Sequence, residues 1–258
     1  MNRKTIECKL ITPMLMHGEN TAVAELRPPA IKGAMRFWWR AIHGNFGLDD
    51  LKKKESKLFG GAGEDSAVKS SFRIKLLTSY LQTEQIDPLP HKNSRFRISG
   101  YRENQNFKIE FIGKELDIVN DIFKLTSILG GFGQRSRRGF GSIQIQDSIN
   151  IGYIKNLIKE INPKFKYYNS LNNYPYIKDI EIGKEYDNMN DLIRTISSAT
   201  HNHNKDGMFG SVQNGRYASP LYISVIKDKA KYRPIITTLN ATKRIDERRL
   251  TEFKGAIL

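Results

Sequence analysis

Residues 115–146, ELDIVNDIFKLTSILGGFGQRSRRGFGSIQIQ, carry three patterns in succession. Leu116, Val119, Ile122, Phe123 and Leu129 recur at helical spacing over 115–129, and the glycine pair that follows is a natural helix stop. Beyond a stretch rich in glycine and arginine, GFGSIQIQ alternates apolar and polar residues as a half-buried strand does. A helix that returns through a turn into a strand is the closing half of a β-α-β-β-α-β unit, so the opening half should lie upstream. TIECKLI, residues 5–11, alternates as a first strand. After the Pro28-Pro29 pair, AIKGAMRFWWRAIHGNF over 30–46 predicts a helix with Pro29 at its first position. Ile31, Met35, Trp38, Ile42 and Phe46 fall in one stripe about 80° wide, which should face the core, while Lys32, Arg36, Arg40 and His43 gather on the adjoining face. SFRIKLLT at 71–78 and FKIEFI at 107–112 supply the second and third strands, separated by a long polar excursion containing proline. The order is that of a ferredoxin-like fold, in the α+β class, over residues 1–150.

The remainder, 151–258, reads as a second sheet-containing domain. Ile151, Ile154, Ile158 and Ile161 mark a short helix, and 187–200 a further one. SPLYISVIK and RPIITTLN form a strand pair around residues 228–232. The stretch 164–186, rich in Tyr, Asn and Lys, has no firm period and receives no assignment.

The chain has 258 residues, 39% of them hydrophobic, with 13 Phe and 11 Tyr, a composition that folds. Its 42 Lys and Arg against 27 Asp and Glu leave a net charge of +15, spread over both halves, which points to a polyanionic partner and first to nucleic acid. A single cysteine, Cys8, excludes an internal disulfide framework and a cysteine-rich zinc site, and fits a reducing cytoplasm. MNRKTIECKLITP lacks the apolar core of a signal peptide, and no stretch approaches the ~20 apolar residues of a membrane span. A protein neither secreted nor membrane-spanning is expected.

In GGFGQRSRRGFGS, Gly131, Gly133, Gly139 and Gly141 bracket Gln134, Arg135, Ser136, Arg137 and Arg138. Glycines leave backbone N–H groups uncovered, and guanidinium forks grip phosphate oxygens, so the loop suits an RNA backbone. No G-K-[ST] follows, so it is not a Walker loop, and its glycines precede a strand instead of opening a helix, so it is not a Rossmann fingerprint. On the first helix Lys32, Arg36 and Arg40 make a basic ridge beside Trp39, on which a base could stack, and Gly33 keeps one turn low. The competing reading of each segment is structural: a solvated turn, and a solvated helix face with Trp39 packed on a neighbour.

ITPMLMHG, ELRPPAIKGAMRFWWRA, GGFGQRSRRGFGS and GRYASPLYISV together resemble the successive motifs of the RAMP superfamily, in order and over most of the chain. RPPA stands where proline-glycine-serine is commoner, and the RFWWRA ending is similar to one subunit class of the type III-B CRISPR effector complexes. The resemblance implies two ferredoxin-like domains packed together, 1–150 with the glycine-rich loop and 151–258 with variations. It also implies a cleft for the 3′ part of a guide RNA, with complementary target RNA as a further ligand and other RAMP subunits as partners. It carries RNA contact onto Lys32, Gly33, Arg36, Trp39 and Arg40, onto Gly131 to Gly141, and onto Arg216, Ser219 and Pro220. No cofactor, metal or membrane is implied, and the expected setting is the prokaryotic cytoplasm, in antiviral defence.

Some RAMP relatives cut CRISPR repeat RNA without metal, using a histidine as general base, so a metal-independent endoribonuclease is the alternative. His17 and His43 are the candidates, each without a visible partner in sequence. His201 and His203, in HNHNKD, lack the flanking context of a metal site and read as loop residues. Asp49, Asp50 and Asp65 are the acids nearest an insertion of the kind that carries a target-cutting aspartate in another RAMP subunit, and none has a supporting motif. A non-catalytic RNA-binding protein is the favoured expectation.

Overall fold

Ile6, Cys8 and Leu10 are buried while Glu7 and Lys9 between them are exposed, so the first predicted strand forms as half-buried β1, Asn2–Leu10. The structure is a computed structural model that describes residues 2–62, 67–78, 80–92, 95–167, 175–204, 207–211, 217–240 and 246–258. Pro28 and Pro29 open α1, Pro28–Ala41, where a missing N–H costs nothing. Ile31, Met35 and Trp38 are buried along it, as the stripe predicts. The helix ends at Ala41 and not at residue 46, and the chain turns through Gly44, where a Cβ would lie 2.6 Å from the Tyr176 ring. Ile42 and Phe46 nevertheless continue to cover the core.

Next come α2 (Leu48–Phe59), the short β2 (Gly61–Ala62) and β3 (Ala67–Val68), and β4 (Phe72–Leu76). The polar excursion contains a hairpin, β5 (Thr83–Ile86) with β6 (Ile98–Tyr101), which the sequence reading missed. Then follow β7 (Asn106–Gly113), α3 (Leu116–Leu129) and β8 (Ile143–Gln144). The main sheet is antiparallel, in the order β4-β7-β1-β8, so the strands expected second, third, first and fourth lie side by side. β8 is far shorter than the predicted 139–146, because Gly139 and Gly141 take φ values of +83° and +67° that a strand ladder does not accept.

The rest comprises α4 (Ile151–Ile161), β9 (Tyr176–Ile182), α5 (Met189–His203), β10 (Leu221–Asp228), β11 (Lys231–Asn240) and α6 (Glu247–Gly255). Asn150, Asn188 and Asp246 cap the three helices through their side-chain oxygens. β10 and β11 pair as expected, and β9, from the unassigned stretch, completes the antiparallel order β10-β11-β9.

The molecule is therefore an α+β protein with two main antiparallel sheets. β10 and β11 are buried on both faces, whereas β1 and β4 of the main sheet leave one face exposed. Tyr222, Ile226, Ile235 and Leu239 of the second sheet join α1, α3 and the main sheet in one core, while Leu221, Ile223, Val225 and Ile236 pack with α5 and α6 in another. Helices α1 and α3 thus lie between two sheets, which explains why ten of the fourteen residues of α3 are buried.

Candidate nucleic-acid interface

With 3.6 residues per turn, Ala30, Ala34 and Phe37 share one side of α1, and the ridge of Lys32, Arg36 and Arg40 lies about 120° round the axis. The small side faces the glycine-rich turn, which is stitched to its neighbours by backbone hydrogen bonds. Gln134 N donates to Leu15 O (2.6 Å), Gly141 N to Pro13 O (2.8 Å) and Gly139 N to Ile223 O (2.8 Å). Close approach demands glycine here: a Cβ on Gly133 would stand 2.4 Å from Leu15 O, and one on Gly141 only 1.9 Å from Phe132 O. Ser136–Arg138 form a single 3-10 turn at the tip.

Between α1 and this turn runs an open groove of about 470 Å³, lined by Leu15, Met16, His17, Ala30, Ala34, Phe37, Trp38, Gly131, Gly133, Gln134, Ser136, Arg137 and Tyr222. No carboxylate is among these. Arg137 sits over the rings of Phe37 (5.2 Å) and Tyr222 (4.9 Å) and spends one of its five N–H donors on Ser219 O at 2.7 Å. Ser136 Oγ accepts from the Tyr222 hydroxyl at 2.7 Å, so its own proton is available to a ligand. His17 donates from Nε2 to Ser99 O at 2.7 Å, which leaves Nδ1 facing the Gln134 amide at 3.5 Å. Because Ser99 belongs to the β5/β6 hairpin, the polar excursion folds back to orient His17. The arrangement offers apolar faces, a cation and neutral donors, which is what a base with its attached phosphate requires.

The basic ridge does not reach this groove. Lys32 Nζ donates to Ser70 Oγ (2.5 Å) and Phe72 O (3.2 Å). Arg36 donates to Phe59 O and Gly60 O (3.2 and 2.6 Å) and pairs with Glu55 at 3.2 Å. Arg40 grips the same carboxylate with two donors. The three cations clamp α2 and the chain leading into β4, which corrects the expectation that they line the RNA trough. Trp39 is likewise corrected: it is 5% exposed, stacked on His43 at 4.1 Å and set edge-on to Phe59, so no base can stack there. Gly33 is exposed, with open space where a Cβ would stand.

The three loop arginines divide. Arg137 lines the groove, whereas Arg138 is a strut, donating to Phe209 O (2.6 Å), Arg137 O (3.0 Å) and Ser219 Oγ (3.3 Å). Burial pushes the Arg138 guanidinium down to about 10, with Arg137 and Arg135 adding to the effect, and it remains charged at neutral pH. Arg135 points to the far side of the turn, where it lines a second cavity. Gly139 packs against Ile193, Ile196 and Val225, and Ser219 is buried as the acceptor for Arg137 and Arg138, so both support the turn and neither lines the groove. Arg216 and Asp65 lie outside the described residues.

His43 is buried, with Nδ1 donating to Trp39 O at 2.6 Å, and burial pushes it down to about 4, which removes it as a base near a phosphate. His201 and His203 stand in the last turn of α5 and not in a loop, beside His91 and Phe253 respectively. Asp49 and Asp50 occupy the first turn of α2, where carboxylates favour a helix, and not an inserted loop. Phe37, Trp38 and Tyr222 are groove residues that the sequence reading passed over as site candidates, although they sit inside the RFWWRA and SPLYISV motifs.

The fold agrees with comparison to known proteins. The chain belongs to the RAMP superfamily, whose family model matches residues 7–144, more than half of its length. Within that superfamily its relatives include Cmr1 subunits of the CRISPR Cmr system. Cmr subunit Cmr1-2 of Pyrococcus furiosus is 24% identical over 180 residues, 57% of this chain and 96% of that protein. Cmr1-1 of the same organism is 32% identical over 148 residues, 47% of this chain and 40% of that protein. The crystal structure of apo Cmr1 from Pyrococcus furiosus superposes with a TM-score of 0.68 at 19% identity, covering 100% of this chain and 96% of that one. A chain of the type III-B Cmr-beta assembly bound to cognate target RNA, solved by cryo-EM, gives 0.63 at 12% identity over 98% and 99%. At these identities the structures establish a shared fold. Among the described residues no helix is long and apolar enough to cross a membrane.

Proposed function

We propose that this chain is a non-catalytic RNA-binding subunit of a type III-B CRISPR ribonucleoprotein in the prokaryotic cytoplasm. It would hold the 3′ part of a guide RNA, together with complementary target RNA, during antiviral defence. The observation that carries this reading is the acid-free groove between the small side of α1 and the glycine-rich turn, in a chain of net charge +15. A volume near 470 Å³ falls within the roughly 300–1,000 Å³ of ligand clefts, and stacking surfaces beside a cation are the usual means of holding a single strand. Membership of the RAMP superfamily and the likeness to a chain of an RNA-bound Cmr assembly support the same reading. We read each sheet as one ferredoxin-like half of the molecule, the second lacking a fourth strand among the described residues.

The test is binding of labelled single-stranded RNA to the purified chain. Replacing Gln134 and Ser136 together by Ala should weaken binding across sequences while circular dichroism stays unchanged. Unaltered affinity would remove the groove from the assignment. The endoribonuclease reading has one observation in its favour, the His17 ring facing the groove with Nδ1 uncommitted to backbone. Incubation of end-labelled repeat RNA in chelator separates the two: intact RNA is expected, and discrete products lost on His17→Ala would reverse the assignment.

A further inference from the structure

The glycine-rich turn has two faces. Gln134, Ser136 and Arg137 line the groove, and Arg135 and Arg138 line a separate cavity of about 200 Å³ on the other side, between the chain that follows β5 and the end of α5. His91, Lys92 and His201 complete its basic wall, and no carboxylate lines it. Several of these basic groups are uncommitted. Arg138 is tied down by Phe209 O and Ser219 Oγ, but the side chains of Arg135, Lys92 and His201 make no hydrogen bond or ion pair among the described residues. The His91 and His201 rings lie 4.9 Å apart at a tilt of 31°. His91 is held from Nδ1 by Ser197 Oγ at 2.5 Å, and its Nε2 is buried without a partner among the described residues. The polar neighbours turn elsewhere: Thr200 Oγ1 donates to Ile196 O, and Asn204 bonds residues 209–210 through both amide atoms. Burial lowers the affinity of His91 for a proton, and His201, Lys92 and Arg135 lower it further, with Asp87 opposing. Asp87 also acts on Arg135 through its charge, while its ion pair, at 3.4 Å, is with Arg97. Basic groups crowded round a small cavity, beside a buried ring nitrogen without a partner among the described residues, suit an anion of a few atoms.

We propose that this cavity is a phosphate-monoester site, fitted either to the terminal phosphate of a strand that leaves the groove over Arg135 or to a free small phosphate. Only the first source rests on the RNA-binding reading above. A dianionic terminus accepts several charge-assisted hydrogen bonds at once, which an internal phosphodiester, with one charge and two substituents, does less well. Phosphate in the cavity would also give the His91 Nε2 proton an acceptor.

The test begins with inorganic phosphate. In a protein labelled with ¹⁵N-histidine, titration should shift the ring resonances of His91 and His201 saturably and leave His43 unmoved. The response should be lost in both Arg135→Gln and His201→Gln, each checked for folding by circular dichroism. Ring resonances that ignore phosphate overturn the site. RNA of one sequence, ending in phosphate or hydroxyl at either terminus, then identifies the source. Preference for one phosphorylated end by about 10-fold, abolished by His201→Gln while hydroxyl-ended RNA binds as before, supports the strand terminus. Equal affinity of all ends, with phosphate still shifting the rings, rejects the strand terminus and leaves the free small phosphate. Failure of every RNA to bind, with the phosphate response intact, sinks the groove reading and spares the site.

Discussion

Gly33 stands exposed inside α1, and a Cβ built there meets nothing within 4 Å. Glycine in a helix interior is about 1 kcal/mol less favourable than alanine, so a residue with free space and no strain to relieve is costly unless something outside the chain approaches it. Gly33→Ala should therefore raise stability by about 0.5–1 kcal/mol in chemical denaturation and weaken RNA binding in the same preparation. Improved stability with unchanged RNA affinity would leave Gly33 without a functional reason. His43 makes a prediction of the opposite kind. Its pKa falls from 6.5 to about 4 on burial, so the folded state resists the proton that the unfolded chain takes up. The contribution is complete above pH 6.5, is lost as pH falls, and levels off below about 4, for a total of about 3 kcal/mol. Urea unfolding at pH 7 and pH 4.5 should show that loss in the parent protein and a smaller one in His43→Phe.

At the scale of elements, the basic ridge of α1 holds α2 in place. Glu55 is 6% exposed and receives both Arg36 and Arg40, so α2 is docked by one buried carboxylate shared between two cations. Removing the charge with Glu55→Gln leaves the two guanidinium groups facing each other and should destabilise by about 2–3 kcal/mol, read as a lower denaturation midpoint, with protease cutting first in 48–59. Cooperative unfolding at the parental midpoint would contradict the clamp. The ridge was legible as a pattern, but its partner was not, because α2 itself was missed: its apolar residues, Leu48, Leu51, Leu58 and Phe59, are too sparse for periodicity to register. Other signals were present, with Asp49 and Asp50 in the first turn, Lys57 in the last and Gly60 at φ +81° after it. β9 escaped for a related reason, since its burial pattern does not alternate cleanly along the strand.

For the whole molecule, the surplus of 15 positive charges makes binding depend on salt. Contacts to about four phosphates give a log-log slope near −3, at roughly −0.7 per phosphate of a single strand, and a slope near zero would point to a ligand that is not a polyanion. The four strands of the main sheet and helices α1 and α3 could be read in order from alternation, helical spacing and the Pro28-Pro29 and Gly130-Gly131 stops, because those signals are local and repeat with the geometry of the backbone. The glycine-rich turn was equally plain, as were its net charge and its place before the last strand of the main sheet. What only the tertiary structure decided is where each cation goes. Lys32, Arg36, Arg137 and Arg138 look alike in a sequence, yet three of them hold the chain to itself and one lines the groove, according to which carbonyls and carboxylates distant segments bring within 3 Å or so. An arginine satisfies the nearest acceptors, and their positions depend on contacts between residues far apart in the chain.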